Sequence, residues 1–441
     1  MCSFFVTNKI ITDLDYVNYF QKFRGPDKTN YKTIKNINFV HNLLSITGSF
    51  IQQPFVDEHD DIVCIYNGQI YNYSSFGSYS SDGECLISLY EEYGITFPSF
   101  LDGEFAICLV DFKKNNLIIS SDIFRTKPIF YSIEGDKFAV SSYQSCLERL
   151  GFETFHSVVA NKTLVFSLDS LELVSAKSVY QFNIDQYKTD FDDWMIAFKN
   201  SIKKRTSNLR EKVFIGLSSG YDSGCIAAEL NRQNVSYKSY SLIGKENYLV
   251  LFRRLLRMNK NSKRKIVFDN REQYKDIILK DVEHVYYTIN SSSSDYNEFD
   301  LLLQNDNGAL GMACICSHAA NENYKIILSG QGADEIFSDY GFRGKKFYKH
   351  SNFGGLFPDN LSEIFPWNSF YKSSMESYLL KDEYIGGLYG IEARYPFLDR
   401  FVVQEFLNLT AELKNLNYKS VLYEYLLAND YPFQKEVKLG F

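Results

Sequence analysis

Val213-Phe214-Ile215-Gly216-Leu217-Ser218-Ser219-Gly220-Tyr221-Asp222-Ser223-Gly224-Cys225-Ile226-Ala227-Ala228-Glu229-Leu230 is the stretch that decides the fold of the second half of this chain. Val213 to Leu217 reads as a short apolar strand, Ser218 to Gly224 as a loop of small residues, and Cys225 to Leu230 as a helix. A strand that runs through such a loop into a helix N-terminus makes a nest of backbone N–H groups suited to an anion. It is not the phosphate loop that ends in Gly-Lys-Ser/Thr, because no lysine follows the glycine. Standing alone, the stretch is equally a strand-to-helix turn of small residues.

The same alternation continues outward. From about residue 190 amphipathic helices alternate with short apolar strands such as Lys325-Ile326-Ile327-Leu328, which predicts a parallel α/β sheet. Residues 1 to about 180 differ, with β-rich segments separated by polar turns: Ile62 to Tyr66, Phe105 to Val110, Leu117 to Ile119 and Thr163 to Phe166. That half is expected to be mostly sheet. Glu84 to Tyr93 adds a helix, with apolar residues at helical spacing and a stop at Gly94. The polar stretch Tyr180 to Asp192 separates the two regimes, and the expected domains are 1–185 and 186–441. No internal repeat is visible, and Ser291 to Ser294 is the one low-complexity patch, read as a loop.

With 441 residues the chain exceeds one ordinary core. A net charge of −7 from 47 basic and 54 acidic residues gives no footprint for nucleic acid or an anionic membrane. Small-molecule substrates are the expected partners, with a homodimer left open. No signal peptide or long apolar span is legible, so the expected compartment is the cytoplasm. Eight cysteines lack both disulfide-scaffold density and paired zinc spacing. Most read as small buried hydrophobes, Cys314 and Cys316 included.

Cys2 is different. After removal of Met1 its thiol would lie beside a free α-amino group, with reference pKa values of roughly 8.5 and 8, so that the amine can act as base for the nucleophile. Arg24-Gly25-Pro26-Asp27, Asn67-Gly68-Gln69-Ile70-Tyr71-Asn72, Ser81-Asp82-Gly83-Glu84, Leu101-Asp102-Gly103-Glu104-Phe105-Ala106 and Lys127-Pro128-Ile129-Phe130-Tyr131 follow. By itself Asn67-Gly68 is a plain β-turn. In this order and spacing the set resembles the class II glutamine amidotransferase domain, of N-terminal-nucleophile type, of asparagine synthetases. Amide hydrolysis needs donors for an oxyanion and an anion for the substrate ammonium. The resemblance implies Cys2 as nucleophile, Asn67 and Gly68 as oxyanion donors and Asp82 as the ammonium site. One departure stands out: in His41-Asn42-Leu43-Leu44-Ser45-Ile46, Leu43 replaces the family's arginine, a bidentate carboxylate clamp. Arg24 is the candidate replacement.

The second half resembles the same family's synthetase domain. Ser218 to Ser223 is similar to its Ser-Gly-Gly-x-Asp-Ser pyrophosphate loop. Ser329-Gly330-Gln331-Gly332-Ala333-Asp334-Glu335 and Glu392-Ala393-Arg394-Tyr395-Pro396-Phe397-Leu398-Asp399 match two further signatures. The implied fold is an α+β N-terminal-nucleophile domain of stacked antiparallel sheets, then an α/β parallel-sheet ATP-pyrophosphatase domain with C-terminal helices. The implied cofactors are ATP and Mg2+. Asp222 and Asp334 would hold the metal, and Leu217, Ser218, Gly220, Asp222, Ser223, Gly330 and Lys438 the nucleotide and pyrophosphate. Lys419 aligns with the family's catalytic lysine, with Asp399 expected to orient it.

The implied activity is glutamine-dependent, ATP-consuming and AMP-forming conversion of a carboxylate to a carboxamide. Asn305 to Cys314 lacks the family's arginine, and Gln331 stands in place of a glutamate. Both point away from aspartate, toward another carboxylate such as a uronic acid. Ser291 to Asn307 is expected to be a polar loop that shapes that pocket. Free ammonia or another amine as nitrogen source, and a non-catalytic scaffold of the same fold, are the alternatives.

Overall fold

The computed structural model describes residues 2–244, 246–268, 270–283, 286–287 and 301–435. The chain forms two compact units. The first comprises Met1–Gln181 with the short segments Asp281–Glu283 and Gly386–Glu392; the second comprises Phe182–Lys280, His284–Ile385 and Ala393–Phe441.

The first unit carries two six-stranded sheets whose paired strands all run antiparallel. Ser3–Thr7 lies inside one sheet, between Ile37–Leu43 and Lys137–Ser141, and Ile62–Ile70 lies inside the other, beside Gly103–Asp111. Alternate residues of these strands face different cores. Phe4, Val6, Val63, Ile65, Cys108 and Val110 share one cluster between the sheets. Phe5 turns outward to Val17 and Cys146, whereas Cys64, Tyr66, Ile107 and Leu109 turn outward to Cys85, Leu86, Leu89 and Tyr90 of the helix Cys85–Tyr93. A helix-sheet-sheet-helix stack follows. Because both faces are covered, these strands read as continuous apolar runs rather than alternating ones. The helix ends where Gly94 adopts φ 57°.

The second unit is built on a sheet in the order Lys263–Val267, Lys238–Leu242, Lys212–Gly216, Tyr324–Leu328, Glu392–Arg394, whose first four strands are parallel. The helix Tyr221–Arg232 starts directly after the Ser218–Gly220 turn, four residues earlier than its apolar pattern indicates. Ser291 to Asn307 is not wholly a loop. Residues 291–300 lie outside the described part, but Leu301–Leu302 is a strand, Leu303–Asn305 a 3-10 turn, and Asn307–Asn321 a helix capped by Asp306. The Asp306 carboxylate accepts from the Gly308 and Ala309 N–H groups, the reason the helix starts there.

An aromatic cluster ties the site-bearing elements of this unit together. Phe198, on the helix Asp192–Thr206, stacks on Phe397 at 5.1 Å and meets Tyr425 edge-on at 5.1 Å. Phe337, at the end of the helix Ala333–Phe337, packs on Trp194 at 5.7 Å and on Phe397 at 6.0 Å. The segments carrying Asp334, Asp399 and Lys419 are thereby anchored in one core. Phe198→Ala is expected to cost about 3–5 kcal/mol in urea unfolding of the second unit, whereas Ile196→Ala, exposed on the same helix, should stay within about 0.5 kcal/mol.

Candidate active site

Cys2 directly precedes the strand Ser3–Thr7 and is half-buried. The chain here is held at two points. The Ser3 hydroxyl donates to the Gln21 carbonyl at 2.6 Å, and Arg24 Nε donates to the Cys2 carbonyl at 3.0 Å. The Leu44 N–H points at Cys2 Sγ at 3.5 Å. Burial pushes the thiol pKa up, and Asp82 and Glu392 are near enough to add to the rise. The thiol is therefore protonated at neutral pH, and attack requires a base at hand.

Asn67 and Gly68 lie on the strand Ile62–Ile70. The Asn67 carboxamide is fully buried, and neither its nitrogen nor its oxygen has a hydrogen-bond partner. A buried amide left unmatched costs about 1–3 kcal/mol, so a ligand that accepts from it is favoured. Gly68 has φ 147°, and a Cβ there would sit 2.0 Å from the Glu104 carbonyl oxygen, so only glycine fits. Asp82, also buried, accepts from Gln69 Nε2 at 2.9 Å and the Ile70 N–H at 2.8 Å. Burial of Tyr66, with the charges of Asp82 and Cys2 adding to it, raises its pKa. That coupling puts Asn67's strand beside the thiol.

Arg24, the expected carboxylate clamp, is fully buried, with Nε on the Cys2 carbonyl and the guanidinium over the Tyr143 ring at 5.4 Å, so it holds the backbone of Cys2. Leu43 is buried and paired with Lys28 across the strands. His41, whose ring nitrogens have no partner, is held neutral by burial and the nearby N-terminal charge, its pKa lowered to about 3.

In the second unit the Ser218–Ser223 loop is wired internally. Ser223 Oγ accepts from the Ser218 N–H at 3.1 Å and lies 2.9 Å from Ser218 Oγ, which accepts from the Gly220 N–H at 3.1 Å. The Ser219 N–H donates to Glu246 at 2.6 Å. Beneath the loop, fully buried Arg254 donates from Nη1 to the Ser218 and Gly220 carbonyls, both at 2.7 Å. Holding both carbonyls from one buried guanidinium fixes the conformation of the loop. Leu217 is buried at the strand exit, its N–H donating to the Tyr240 carbonyl and its carbonyl accepting from the Ser241 hydroxyl.

Lys419 joins the motifs. It caps the helix Ser420–Ala428 with φ 48°, is buried, and places Nζ 2.6 Å from Asp222 Oδ1 and 3.0 Å from Asp334 Oδ1. Burial opposes its charge, but the two carboxylates override it and raise its pKa. The Tyr418 hydroxyl donates to Asp334 at 3.0 Å. Gly330 packs on this group: a Cβ there would lie 3.0 Å from Asp222 Cβ. Gly332, at φ 92°, lets the chain turn into the helix bearing Asp334. Asp399 does not orient Lys419. Its buried carboxylate pairs with Lys204 at 2.5 Å and Arg205 at 2.8 Å and caps the helix Arg400–Asn408. Burial works against ionisation there, and those two cations nonetheless hold its pKa below the usual carboxylate range. Lys438 lies outside the described residues.

Several site-side residues carry no readable signal. Arg254 sits in an Arg253-Arg254 pair and Asp382 in Lys381-Asp382-Glu383, both of which read as solvated charge. Asp382 is in fact buried, accepting from Ser329 Oγ at 2.5 Å and Gln331 Nε2 at 3.3 Å. Burial pushes its pKa from 3.8 up to about 6. Among the described residues no three His, Cys, Asp or Glu side chains cluster as a metal cage, and no helix is long and apolar enough to cross a membrane.

Two family models match the chain: one for the glutamine amidotransferase domain over residues 1–188, the other for asparagine synthase over residues 194–383. A relative from Methanocaldococcus jannaschii, named for glutamine-hydrolysing asparagine synthetase, is 29% identical over 436 residues, covering 91% of this chain and 74% of its own length. The asparagine synthetase (glutamine-hydrolysing) of Gallus gallus is 23% identical, over 89% of this chain and 73% of its own. That of Bacillus subtilis numbered 2 is 37% identical over a shorter stretch, 25% of this chain and 16% of its own.

The raised Asp382 pKa has a signed consequence. Between pH 4 and 6 the folded state binds the extra proton, so this group's contribution to stability falls as pH rises through that window and is constant above it. Asp382→Asn removes the dependence. Its stability relative to wild type should therefore improve from pH 4 to 6 by up to about 3 kcal/mol in urea titrations, then level off.

Proposed function

We propose, since this chain belongs as a divergent member to the glutamine-hydrolysing asparagine synthetase family, that its first unit releases ammonia from glutamine and its second spends ATP to fix that ammonia as a carboxamide. The protein is an ATP-dependent ligase that uses glutamine. The observation that carries the reading is the meeting of Asp222, Asp334 and Lys419, residues up to 197 positions apart, beside a strand-loop-helix nest.

In the glutaminase half, the Cys2 thiol gives its proton to the α-amino group freed by loss of Met1 and attacks the side-chain carbonyl of glutamine. The Asn67 carboxamide and the Gly68 N–H receive the oxyanion, and the buried carboxylate of Asp82 draws the substrate ammonium. Collapse expels ammonia, and water then cleaves the thioester to give glutamate.

In the synthetase half, an acceptor carboxylate attacks the α-phosphorus of ATP and pyrophosphate departs into the Ser218–Ser223 nest, with Lys419 facing the charge that develops. Two carboxylates, with no third His, Cys, Asp or Glu clustered beside them among the described residues, suit Mg2+, which takes one or two carboxylates together with nucleotide phosphates. Asp222 and Asp334 would hold it, and it would neutralise phosphate charge. Ammonia then displaces AMP from the acyl-adenylate. Gln331, and the absence of any cationic side chain from Asn305 to Cys314, favour an acceptor other than aspartate, with a uronic acid as the alternative.

Purified protein with ATP, Mg2+ and ammonium should release pyrophosphate with one member of a panel of aspartate, glutamate and hexuronic acids. Cys2→Ala should lose amide formation from glutamine by about 10³-fold or more and keep it from ammonium. A variant still active with glutamine, or a panel with no pyrophosphate release, contradicts the proposal.

A further inference from the structure

We propose that Asp382 is the proton acceptor of the amide-forming step, acting through the hydroxyl of Ser329. The inference rests on the ligase reading above and deepens it. Ammonia that has attacked an acyl carbon is a cationic adduct and must lose a proton before a stable amide forms, so the synthetase half needs a base.

Most carboxylates near that site are poor candidates. Asp222 and Asp334 both lie on Lys419. Asp399 lies on two cations. Glu335 is also buried, with its pKa raised to about 7, but it accepts the Gly332 N–H as the cap of the helix Ala333–Phe337 and the Tyr340 hydroxyl, and it has no hydroxyl partner on the Ser329–Gln331 loop.

Asp382, on the helix Ser374–Leu388, differs. It is 3% exposed, and no cation pairs with it among the described residues. Neighbouring Lys381 turns to Asp306, at 3.8 Å. The groups that face Asp382 are Ser329 and Gln331 from one loop, Cys316 from the helix Asn307–Asn321, and Lys381 and Glu383 on its own helix. Of these only Lys381 favours the ionised form by its charge, and burial outweighs it. The result is a carboxylate more basic than usual.

The geometry aims it. Ser329 follows the strand Tyr324–Leu328, with its N–H fixed on the Arg394 carbonyl at 2.9 Å. Its hydroxyl donates to Asp382 Oδ2 at 2.5 Å. Gln331 donates to Oδ1 and, from its backbone N–H, to Ser329 Oγ at 3.2 Å. Between the two residues lies Gly330, the glycine that packs on Asp222. The hydroxyl therefore bridges a buried base and the loop that borders the nucleotide nest.

In the step itself the ammonia lone pair forms the C–N bond. An N–H proton passes to Ser329 Oγ while the Ser329 proton passes to Asp382 Oδ2. The C–O bond to phosphate breaks with its electron pair on AMP, and Asp382 later returns its proton to water.

The test uses the full chain with ammonium chloride as nitrogen source and the carboxylate that supports pyrophosphate release. Asp382→Asn should keep the first-turnover pyrophosphate burst within about threefold of wild type, slow amide formation by about 10²-fold, and abolish the acid limb near pH 6. Asp382→Glu should recover part of the rate and the limb. Ser329→Ala should show the same split, and carries the test if Asp382→Asn fails to fold. Amide formation by Asp382→Asn within about threefold of wild type with an unchanged pH profile, or equal losses of burst and amide in variants with wild-type melting temperature, overturns the inference. A wild type that releases no pyrophosphate overturns the ligase reading itself, a result separable from these.

Discussion

One buried cation organises the second unit. Lys419 sits between Asp222 and Asp334 with almost no exposure, and burying an ion costs several kcal/mol unless well-placed partners offset it. Two carboxylates do so, and the backbone bends into the left-handed region at Lys419 to bring Nζ to them. The cluster is left with net negative charge, one reason a divalent cation with a polyphosphate suits it. The arrangement requires the first turn of Tyr221–Arg232, the short helix Ala333–Phe337 and the start of Ser420–Ala428 to meet at hydrogen-bond distance. The Phe198, Phe397, Tyr425 and Phe337 rings supply the rigid packing that keeps them there.

The first unit solves a different problem. Cys2, the nucleophile proposed above, sits at the start of a strand inside a sheet, where a thiol loses solvation and resists ionising. The Leu44 N–H beside the sulfur works the other way, and Arg24 holds the Cys2 carbonyl. In the proposed reaction a substrate oxyanion would accept from the Asn67 carboxamide nitrogen, which has no partner in the resting site.

Much of this was legible in the sequence, for identifiable reasons. The Val213 to Leu230 stretch announces its strand, loop and helix because small residues and apolar runs are local signals. Gly330 sits where close packing favours a glycine, whereas Asn67-Gly68, a β-turn on local signal alone, lies within the strand Ile62–Ile70. What failed was partnership. Asp399 lies in a well-matched segment, yet its cations, Lys204 and Arg205, come from a helix nearly two hundred residues earlier. Arg24 looks like a surface clamp because nothing local reveals that it is buried. Asp382 and Arg254 hide in charged runs, and their burial follows from tertiary packing alone.

The most direct measurement is first-turnover pyrophosphate release by Lys419→Met beside its glutaminase activity. If the Asp222–Lys419–Asp334 group is the centre of the ATP site, pyrophosphate release falls by about 10²-fold or more while glutamate production from glutamine stays within about threefold of wild type. Pyrophosphate release at the wild-type rate would contradict it.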